Sequence, residues 1–322
     1  MEGDNWLVIY LNDINKKQNE EEFLLFLFAQ RKLYSKAKII NFLLFWIGVA
    51  IYILGLLPII KNNFDYHYNL ATVIWIVISQ ILNDRSVSIK LMAAEYQEYI
   101  DRSLFGFPIN DDIISNLDKL KRYAIDLKIK HNKEFNEKIK PNTKGTIYNW
   151  YSDVSNLPIE IARLFCQNEN CHWESKLRRD YNKVLYFLII TAISTYVYML
   201  VKYYSGYAIF NLIYAIPVSI EIMKLIKHNN EIIKICDELE DRINRVYTYI
   251  SKKLNDIDNQ YLYKESIVIQ RKIFDYRKTN ISIPDFLYYF LRKKYQKEST
   301  QFIEMLKGEI LDKYKKAIIT ED

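Results

Sequence analysis

The distribution of charge constrains this chain more than any other feature of its sequence. No Asp, Glu, Lys or Arg lies between Lys38 and Lys61, and the core of this interval is the apolar block 42–60. As a helix, these 19 residues would be about 28 Å long, close to the hydrocarbon thickness of a bilayer. The block therefore predicts a helix that crosses a membrane.

Three further blocks repeat this pattern. Residues 66–82 carry no formal charge when His67 is neutral, and residues 184–201 and 203–220 are each bounded by charged residues. The last two blocks, with 18 residues each, are near the lower length limit for a span, so a pair of buried helices in a soluble core is the alternative for them. Because the pattern occurs four times in one chain, we predict an all-α membrane protein with four spans in two helical hairpins.

The basic residues predict how the hairpins are oriented. Of the 45 Lys and Arg, 43 lie outside the hairpins, on the one side to which both hairpins open. Such a bias marks the cytoplasmic side of a membrane. We therefore expect both termini in the cytoplasm. The predicted regions are a cytoplasmic N-terminal helix (1–40), hairpin 1 (41–82), a cytoplasmic helical region (83–183), hairpin 2 (184–220) and a cytoplasmic C-terminal helical region (221–322).

The regions outside the apolar blocks predict long helices. With 7 Gly and 6 Pro, the chain has few residues that end helices. Heptad spacing after the fourth block predicts one helix over about 207–257, and the helix of the second block should continue to Gly106. Further helices are predicted over 110–138, 159–165, 174–183, 260–278 and 285–316. The extensions of the spans and the terminal helices would then form a large cytoplasmic bundle.

The sequence carries no signature of an active site. It has no phosphate-binding glycine loop, nucleophile elbow, dinucleotide-binding fingerprint or paired-histidine zinc helix. The group Cys166, Cys171, His172 and Glu174 could hold zinc, but ordinary packing is the simpler interpretation. We therefore predict a protein that is not an enzyme and that uses no catalytic residue, metal or cofactor.

Polar side chains form a stripe along two of the predicted spans, each within an arc of about 100° on a helix. The stripe of the second block is Asn69, Thr72, Ser79, Gln80 and Asn83, and that of the third block is Thr191, Ser194, Thr195 and Tyr198. Polar groups are costly against lipid, so both stripes should face protein or water. These residues are candidates for the lining of a pore in an oligomer, and hydrogen bonding within a tight bundle is the alternative.

Short motifs spread over most of the chain are shared with one protein family. The motifs before the first block are Lys17, Gln18, Asn19, Ala29, Gln30, Arg31, Leu33, Tyr34, Ala37 and Lys38. Those between the hairpins are Lys90, Ala93, Ala94, Gln97, Glu98, Leu104, Phe105, Pro108, Trp150, Tyr151, Leu157, Pro158, Ala162, Arg163, Cys166, Gln167, Asn170 and Trp173. Those near the C-terminus are Gln270, Ile273, Arg277, Pro284, Asp285, Arg292 and Glu298. In these motifs and their order around two hairpins, the chain resembles the SMODS-associating four-transmembrane effectors, a family of pore-forming proteins. It departs from the family at Arg271, where an acidic residue is expected.

The resemblance implies an effector of a bacterial anti-phage system. A nucleotidyltransferase encoded nearby would sense infection and make a cyclic di- or trinucleotide second messenger. The messenger would bind on the cytoplasmic side, and a homo-oligomer in the bacterial inner membrane would then breach the lipid bilayer and cause abortive infection. No nucleic acid is expected as a partner. A constitutive small channel or a membrane-anchored scaffold without a nucleotide ligand is the alternative.

Six residues in these motifs are candidates for the messenger pocket or for the helix contacts that gate it: Arg31, Tyr34, Arg163, Gln167, Arg277 and Arg292. Arginine clamps phosphate oxygens and aromatic rings stack on bases, so this mixture suits a phosphate-bearing ligand. Helix capping, salt bridges and packing within the bundle are the alternative roles for these side chains.

Overall fold

The computed structural model describes residues 12–55, 64–110, 114, 116–203, 206–253, 257–280 and 283–319. All regular secondary structure in these ranges is helical, which confirms the predicted all-α class for this part of the chain. The helices are α1 (Ile14–Lys17), α2 (Glu21–Gly55), α3 (Asp65–Phe105), α4 (Leu117–Lys130), α5 (Asn132–Lys138), α6 (Ile159–Tyr203), α7 (Gly206–Lys252), α8 (Asn259–Thr279) and α9 (Asp285–Ile319).

Long helices pair side by side to organise the fold. α2 runs antiparallel to α3: the Tyr68 hydroxyl donates to the Ile51 carbonyl at 3.0 Å, and Ser86 Oγ donates to Asn41 Oδ1 at 2.8 Å. α6 packs along α7, and side-chain hydrogen bonds join the two helices. Each of these four helices runs without a break from the bundle into one of the predicted spans.

Among the described residues, two helices have the length and hydropathy of membrane spans. The ranges Glu21–Ile51 and Tyr66–Phe105, in α2 and α3, each contain an 18-residue window apolar enough to cross a membrane, and 6% of each window is buried. Large apolar side chains are exposed in both helices, including Phe42 at 60% and Ile76 at 61%. A helix in a soluble core would bury such side chains. We therefore identify α2 and α3 as candidate membrane spans.

The predicted third and fourth spans lie in α6 and α7. Exposed apolar side chains occur here too, with Phe187 at 68% and Ile190 at 63%. Several side chains between positions 192 and 218 lie outside the description. The four-span arrangement, the bounds of the five predicted regions and their sides of the membrane remain predictions.

Away from the apolar segments, the helices share one hydrophobic core. Phe28, Tyr96, Phe165, Ile243 and Ile269, from five different helices, are all 0% exposed. A second, smaller core attaches α9 to α6 and consists of Leu177, Ile283, Leu287, Leu291 and Tyr295. The C-terminal helix therefore has apolar contacts of its own beside the main core.

α6 is one helix, whereas the sequence predicted a break after Phe165. The polar residues beyond that point remain helical because they find partners on neighbouring helices. Gln167 Nε2, for example, donates to the Ser266 carbonyl of α8 at 2.8 Å. Tertiary hydrogen bonds and burial here outweigh weak helix propensity.

Two further boundaries concern the segment after α3. Gly106 ends α3 where predicted: it takes a left-handed φ of 69° and its N–H donates to the Arg102 carbonyl. The single helix predicted over 110–138 is instead the pair α4 and α5. His131 separates them because its φ of −123° leaves the helical range.

Candidate functional site

A cavity of about 260 Å³ lies where α2, α6 and the end of α8 meet residues 146–151 and the start of α9. It is close to the predicted membrane boundary, because Lys38 in its lining is four residues, or about 6 Å of helix, before Phe42. Of the side chains that the structure describes, four basic ones line it: Arg31, Lys38, Arg178 and Arg277. The lining also contains the carboxylates Glu169 and Glu174 and the aromatic residues Tyr34, Trp150, Tyr151, Trp173, Tyr276 and Tyr288.

Arg31 extends from α2 onto the backbone of the segment that follows α5. Its Nη1 donates to the Gly145 carbonyl. Gly145 has a positive φ of 72°, and a Cβ at this position would lie 2.8 Å from Arg31 Nη2. The glycine therefore meets two requirements, the left-handed backbone and the close approach of the guanidinium.

Arg277 occupies the end of α8 and is 4% exposed. Its Nη1 donates to Asp101 Oδ2 at 2.6 Å, and the other carboxylate oxygen accepts from the Tyr151 hydroxyl at 2.5 Å. Burial is the largest single influence and lowers the pKa of Arg277, but the charge and hydrogen bond of Asp101, together with Tyr276 and Tyr151, outweigh it and raise the pKa well above its usual value. The guanidinium is therefore a permanent charge beside the cavity, fixed in position by α3.

Arg178 connects α6 to α7 and is 0% exposed. Its Nε donates to Glu174 Oε1 at 2.7 Å, and its Nη1 donates to Asn229 Oδ1. Glu174 Oε1 also accepts from Asn280 Nδ2 at 3.0 Å. Arg178 thus joins the cavity lining to α7, the helix that holds the predicted fourth span.

Glu169 is buried in the same lining. Its carboxylate accepts from the Ser152 backbone N–H at 3.1 Å, the Ser152 hydroxyl at 2.8 Å and the Ser299 hydroxyl at 3.1 Å. Burial raises the pKa of Glu169 in spite of these hydrogen bonds, which lower it. The described lining contains more basic side chains than carboxyl groups, since Arg31, Lys38, Arg178 and Arg277 face only Glu169 and Glu174.

Aromatic rings form part of the cavity wall. Trp173 packs against Tyr288 with ring centroids 5.9 Å apart and against Tyr295 at 5.6 Å. Trp173 therefore belongs both to the cavity and to the contacts of the small core around α9. Guanidinium groups beside aromatic faces are the combination that binds phosphate groups and stacks on bases. The cavity can accordingly hold an anionic ligand that carries aromatic rings.

Comparison with known protein families identifies the group to which this chain belongs. A model of the SMODS-associating 4TM effector domain matches residues 12–306. The chain belongs to this family. The resemblance read from the sequence is confirmed, and with it an association with SMODS nucleotidyltransferase systems, a membrane location and an effector role in anti-phage defence. Comparisons with curated proteins and with solved structures gave no match.

The structure of this SMODS-associating 4TM effector brings three of the six candidate ligand residues together. Arg31, Tyr34 and Arg277 all line the cavity, although they are far apart in the sequence. Tyr34 follows Arg31 by three residues on α2, so the two side chains share one helix face.

The other three candidates have different positions. Arg163 lies between the rings of Phe107 and Tyr263, 5.3 Å from each centroid, and Gln167 is buried between α6 and α8. Neither residue lines the cavity. The side chain of Arg292 lies outside the described part of the chain.

Sequence reasoning did not single out several residues of the lining. Gln30, Lys38, Trp150 and Trp173 were in the family motifs without an assigned role. Arg178 was in no motif, and its only local signal is an acidic residue, Glu174, one helical turn earlier.

The polar stripe of α3 lies partly on the exposed surface of the single chain. Asn69, Gln80 and Asn83 are exposed, whereas Thr72 and Ser79 are partly buried. The Thr72 hydroxyl donates to the Tyr68 carbonyl at 2.9 Å and the Ser79 hydroxyl to the Ile76 carbonyl at 2.8 Å, both within their own helix.

The stripe of α6 has a similar character. Thr191, Ser194 and Tyr198 are exposed, and the Thr191 hydroxyl donates to the Phe187 carbonyl at 2.8 Å. The side chain of Thr195 lies outside the description. That these residues line a pore remains a prediction.

Proposed function

We propose that this effector binds a cyclic di- or trinucleotide messenger in the cavity beside Arg31 and Arg277, and that binding drives its spans to breach the bacterial inner membrane. A nucleotidyltransferase of the same defence system would supply the messenger, and the breach would cause abortive infection. The observation that carries the proposal is the position of the cavity: basic and aromatic side chains converge on helices that continue into the predicted spans.

The cavity lining suits the chemistry of such a messenger. A cyclic oligonucleotide carries one phosphodiester charge and one aromatic base per nucleotide. Arg31 and Arg277 can bind phosphate oxygens, and the ring of Trp150 or Trp173 can stack on a base. A single ligand would then bridge α2, α6 and α8, the three main helices around the cavity.

Binding would also change the spacing of these helices. At about 260 Å³, the cavity is smaller than the roughly 300–1,000 Å³ of pockets that hold drug-sized ligands. A ligand with two or three nucleotides would therefore either widen the cavity, as we propose, or extend beyond its open side. Because α2 and α6 enter the predicted hairpins within a few residues of the lining, widening would shift one hairpin relative to the other.

The exposed polar stripes favour an assembly that contains more than one copy of the chain. Asn69 and Gln80 are on the outer surface of the α2–α3 pair, where a lone chain in a bilayer would present them to lipid. Placing polar groups in hydrocarbon is costly, so these side chains favour an oligomer in which they meet another subunit or a water-filled path. A homo-oligomeric pore with cytoplasmic termini is the assembly that we propose.

Dye release from liposomes tests the proposal. The purified full-length chain is reconstituted, and leakage is measured during titration with a panel of cyclic di- and trinucleotides. We expect release with one messenger and none without it. Release without any ligand would favour a constitutive channel. No release under any condition, with insertion verified by protease protection, would favour a scaffold and overturn the proposed mechanism.

A further inference from the structure

Gln30 is a buried side chain of the cavity lining with an unsatisfied hydrogen-bond acceptor. It lies on α2, one turn before Tyr34, and is 6% exposed. Among the described residues, its Oε1 atom has no hydrogen-bond partner. Buried acceptors are almost always paired, and leaving one unpaired is costly. In the wall of a cavity, such an acceptor is available to a hydrogen-bond donor on a ligand.

Asn280 provides a second acceptor in the same lining. Its Nδ2 donates to Glu174 Oε1 at 3.0 Å, and because an ionised carboxylate only accepts, this contact fixes the orientation of the amide. The Oδ1 atom is then the group left over, and within the described part of the chain it too is buried without a partner. Gln30 Oε1 and Asn280 Oδ1 can both accept hydrogen bonds from N–H or O–H donors on a ligand.

The chemistry of a carboxamide narrows the choice of base. The Gln30 side chain presents an N–H donor directly beside its unpaired oxygen. Adenine presents the complementary pair, the N6 amino donor beside the N7 acceptor, and Gln and Asn recognise adenine through it. The corresponding edge of guanine presents two acceptors, O6 and N7, which suit an arginine instead.

The surroundings of Gln30 allow a base to be held while it is read. Tyr34 lies four residues further along α2, so its ring is on the same helix face and lines the same cavity. An aromatic ring can stack on the face of a base while a neighbouring amide bonds to the base edge. The two residues therefore supply the two contacts that base-specific recognition requires.

We propose that Gln30 is a specificity-determining residue that reads an adenine base of the messenger. The inference rests on the proposed function, since it takes the cavity as the messenger site, and it adds the identity of one base. One bidentate amide–base contact discriminates against the wrong base by roughly 5- to 150-fold in affinity.

Binding of ligands matched in ring size tests this inference. Calorimetry on the full chain in nanodiscs compares cyclic di-AMP with cyclic di-GMP, and cyclic tri-AMP with cyclic tri-GMP. We expect the adenine ligand of the active ring size to bind roughly 5- to 150-fold more tightly than the guanine ligand of the same ring size. Gln30→Glu replaces the side-chain N–H donor by an acceptor, and the resulting carboxylate matches the N1 and N2 donors of guanine. This variant should narrow or reverse the ratio of the affinity for the adenine ligand to the affinity for the guanine ligand.

Two further variants separate a role in recognition from a role in folding. Gln30→Leu removes both polar atoms and should bring the adenine-to-guanine ratio close to one with an unchanged melting temperature. Gln260→Glu makes the same chemical change as Gln30→Glu at an exposed position of α8 and should leave the ratio unchanged.

The outcomes distinguish this inference from the proposed function. Failure of every cyclic oligonucleotide to bind would overturn both. Binding with equal affinity for adenine and guanine ligands, or a ratio that Gln30→Glu does not move, would overturn the role of Gln30 while the messenger site stands. A Gln30 variant that loses affinity equally for adenine and guanine ligands would show that Gln30 has a structural role, and this result would also overturn the inference.

Discussion

Arg277 on α8 donates from Nη1 to Oδ2 of Asp101 on α3 across 2.6 Å, and the two side chains are 5% and 0% exposed. The pair joins two distant parts of the chain at the edge of the cavity. Asp101 also accepts from the Tyr151 hydroxyl, so one carboxylate orients two residues of the lining. This arrangement holds a cation at the cavity without leaving its charge uncompensated.

We expect Asp101→Asn to destabilise the protein strongly. Removing one partner of a buried ion pair leaves the other charge unpaired, which costs about 3–5 kcal/mol. The measurement is the free energy of unfolding in detergent, from denaturant titration followed by tryptophan fluorescence. Asp126→Asn makes the same change at an exposed position of α4 and serves as the control. Equal stability of the two variants would contradict a structural role for the pair.

Arg31→Ala should weaken messenger binding while the protein still folds and inserts. A hydrogen bond to a charged group contributes about 1.5–3 kcal/mol, so loss of one phosphate contact corresponds to roughly 10- to 150-fold in affinity. Arg271→Ala removes an exposed arginine of α8 that is not in the cavity lining and should bind normally. The check is calorimetric titration of both variants with the active messenger. Identical affinities would remove Arg31 from the site.

The candidate spans in α2 and α3 were the more predictable part of the fold. A span needs about 20 residues without charge, and this requirement is visible in a linear sequence, as the block 42–60 illustrates. The end of α3 at Gly106 was predictable for a similar reason, because the signal is local. The continuity of α6 was not, since the partner of Gln167 lies on α8, 99 residues away.

The cavity could be predicted only in part. Arg31, Tyr34 and Arg277 were nominated through family motifs, and the structure places them together. Arg178 escaped notice because its importance comes from Asn229 on another helix, a contact that no sequence spacing encodes. Arg163 was nominated on the same grounds as Arg31, yet aromatic rings enclose it away from the cavity.

Gly145→Ala should perturb both stability and binding. A Cβ here would lie 2.8 Å from Arg31 Nη2, and the φ of 72° is unfavourable for a residue with a side chain. The left-handed backbone alone costs roughly 1–2 kcal/mol. Gly308→Ala is the matched control, because no atom lies within 4 Å of its Cβ position and Ala favours a helix interior by roughly 0.5–1 kcal/mol. Thermal unfolding should therefore shift in opposite directions for the two variants, and shifts of the same sign would be inconsistent with this account.

Asn229→Ala should loosen the contact between α6 and α7. The residue is buried, accepts from Arg178 and donates to Asn182 Oδ1 at 2.7 Å. Its loss leaves buried polar groups unpaired, at about 1–3 kcal/mol. If this contact restrains the resting state, less messenger should be needed for half-maximal dye release. Asn244→Ala, at an exposed site of the same helix, should leave the titration curve unchanged. A curve for Asn229→Ala that coincides with this control would show that the contact does not restrain activation.

Glu169 should make stability depend on pH in a direction that its environment determines. Burial raises the pKa of this carboxyl above its usual value near 4.5. A carboxyl with a raised folded-state pKa favours the folded state fully below its unfolded pKa, and this contribution is lost as the pH rises through the folded-state pKa. Glu169→Gln removes the titration while keeping an amide that can bond to Ser152 and Ser299. The free energy of unfolding of the wild type should therefore fall relative to that of the variant as the pH rises from about 4.5 to the raised pKa. Denaturant unfolding at a series of pH values checks this, and a difference that does not vary with pH would show that Glu169 does not titrate in this range.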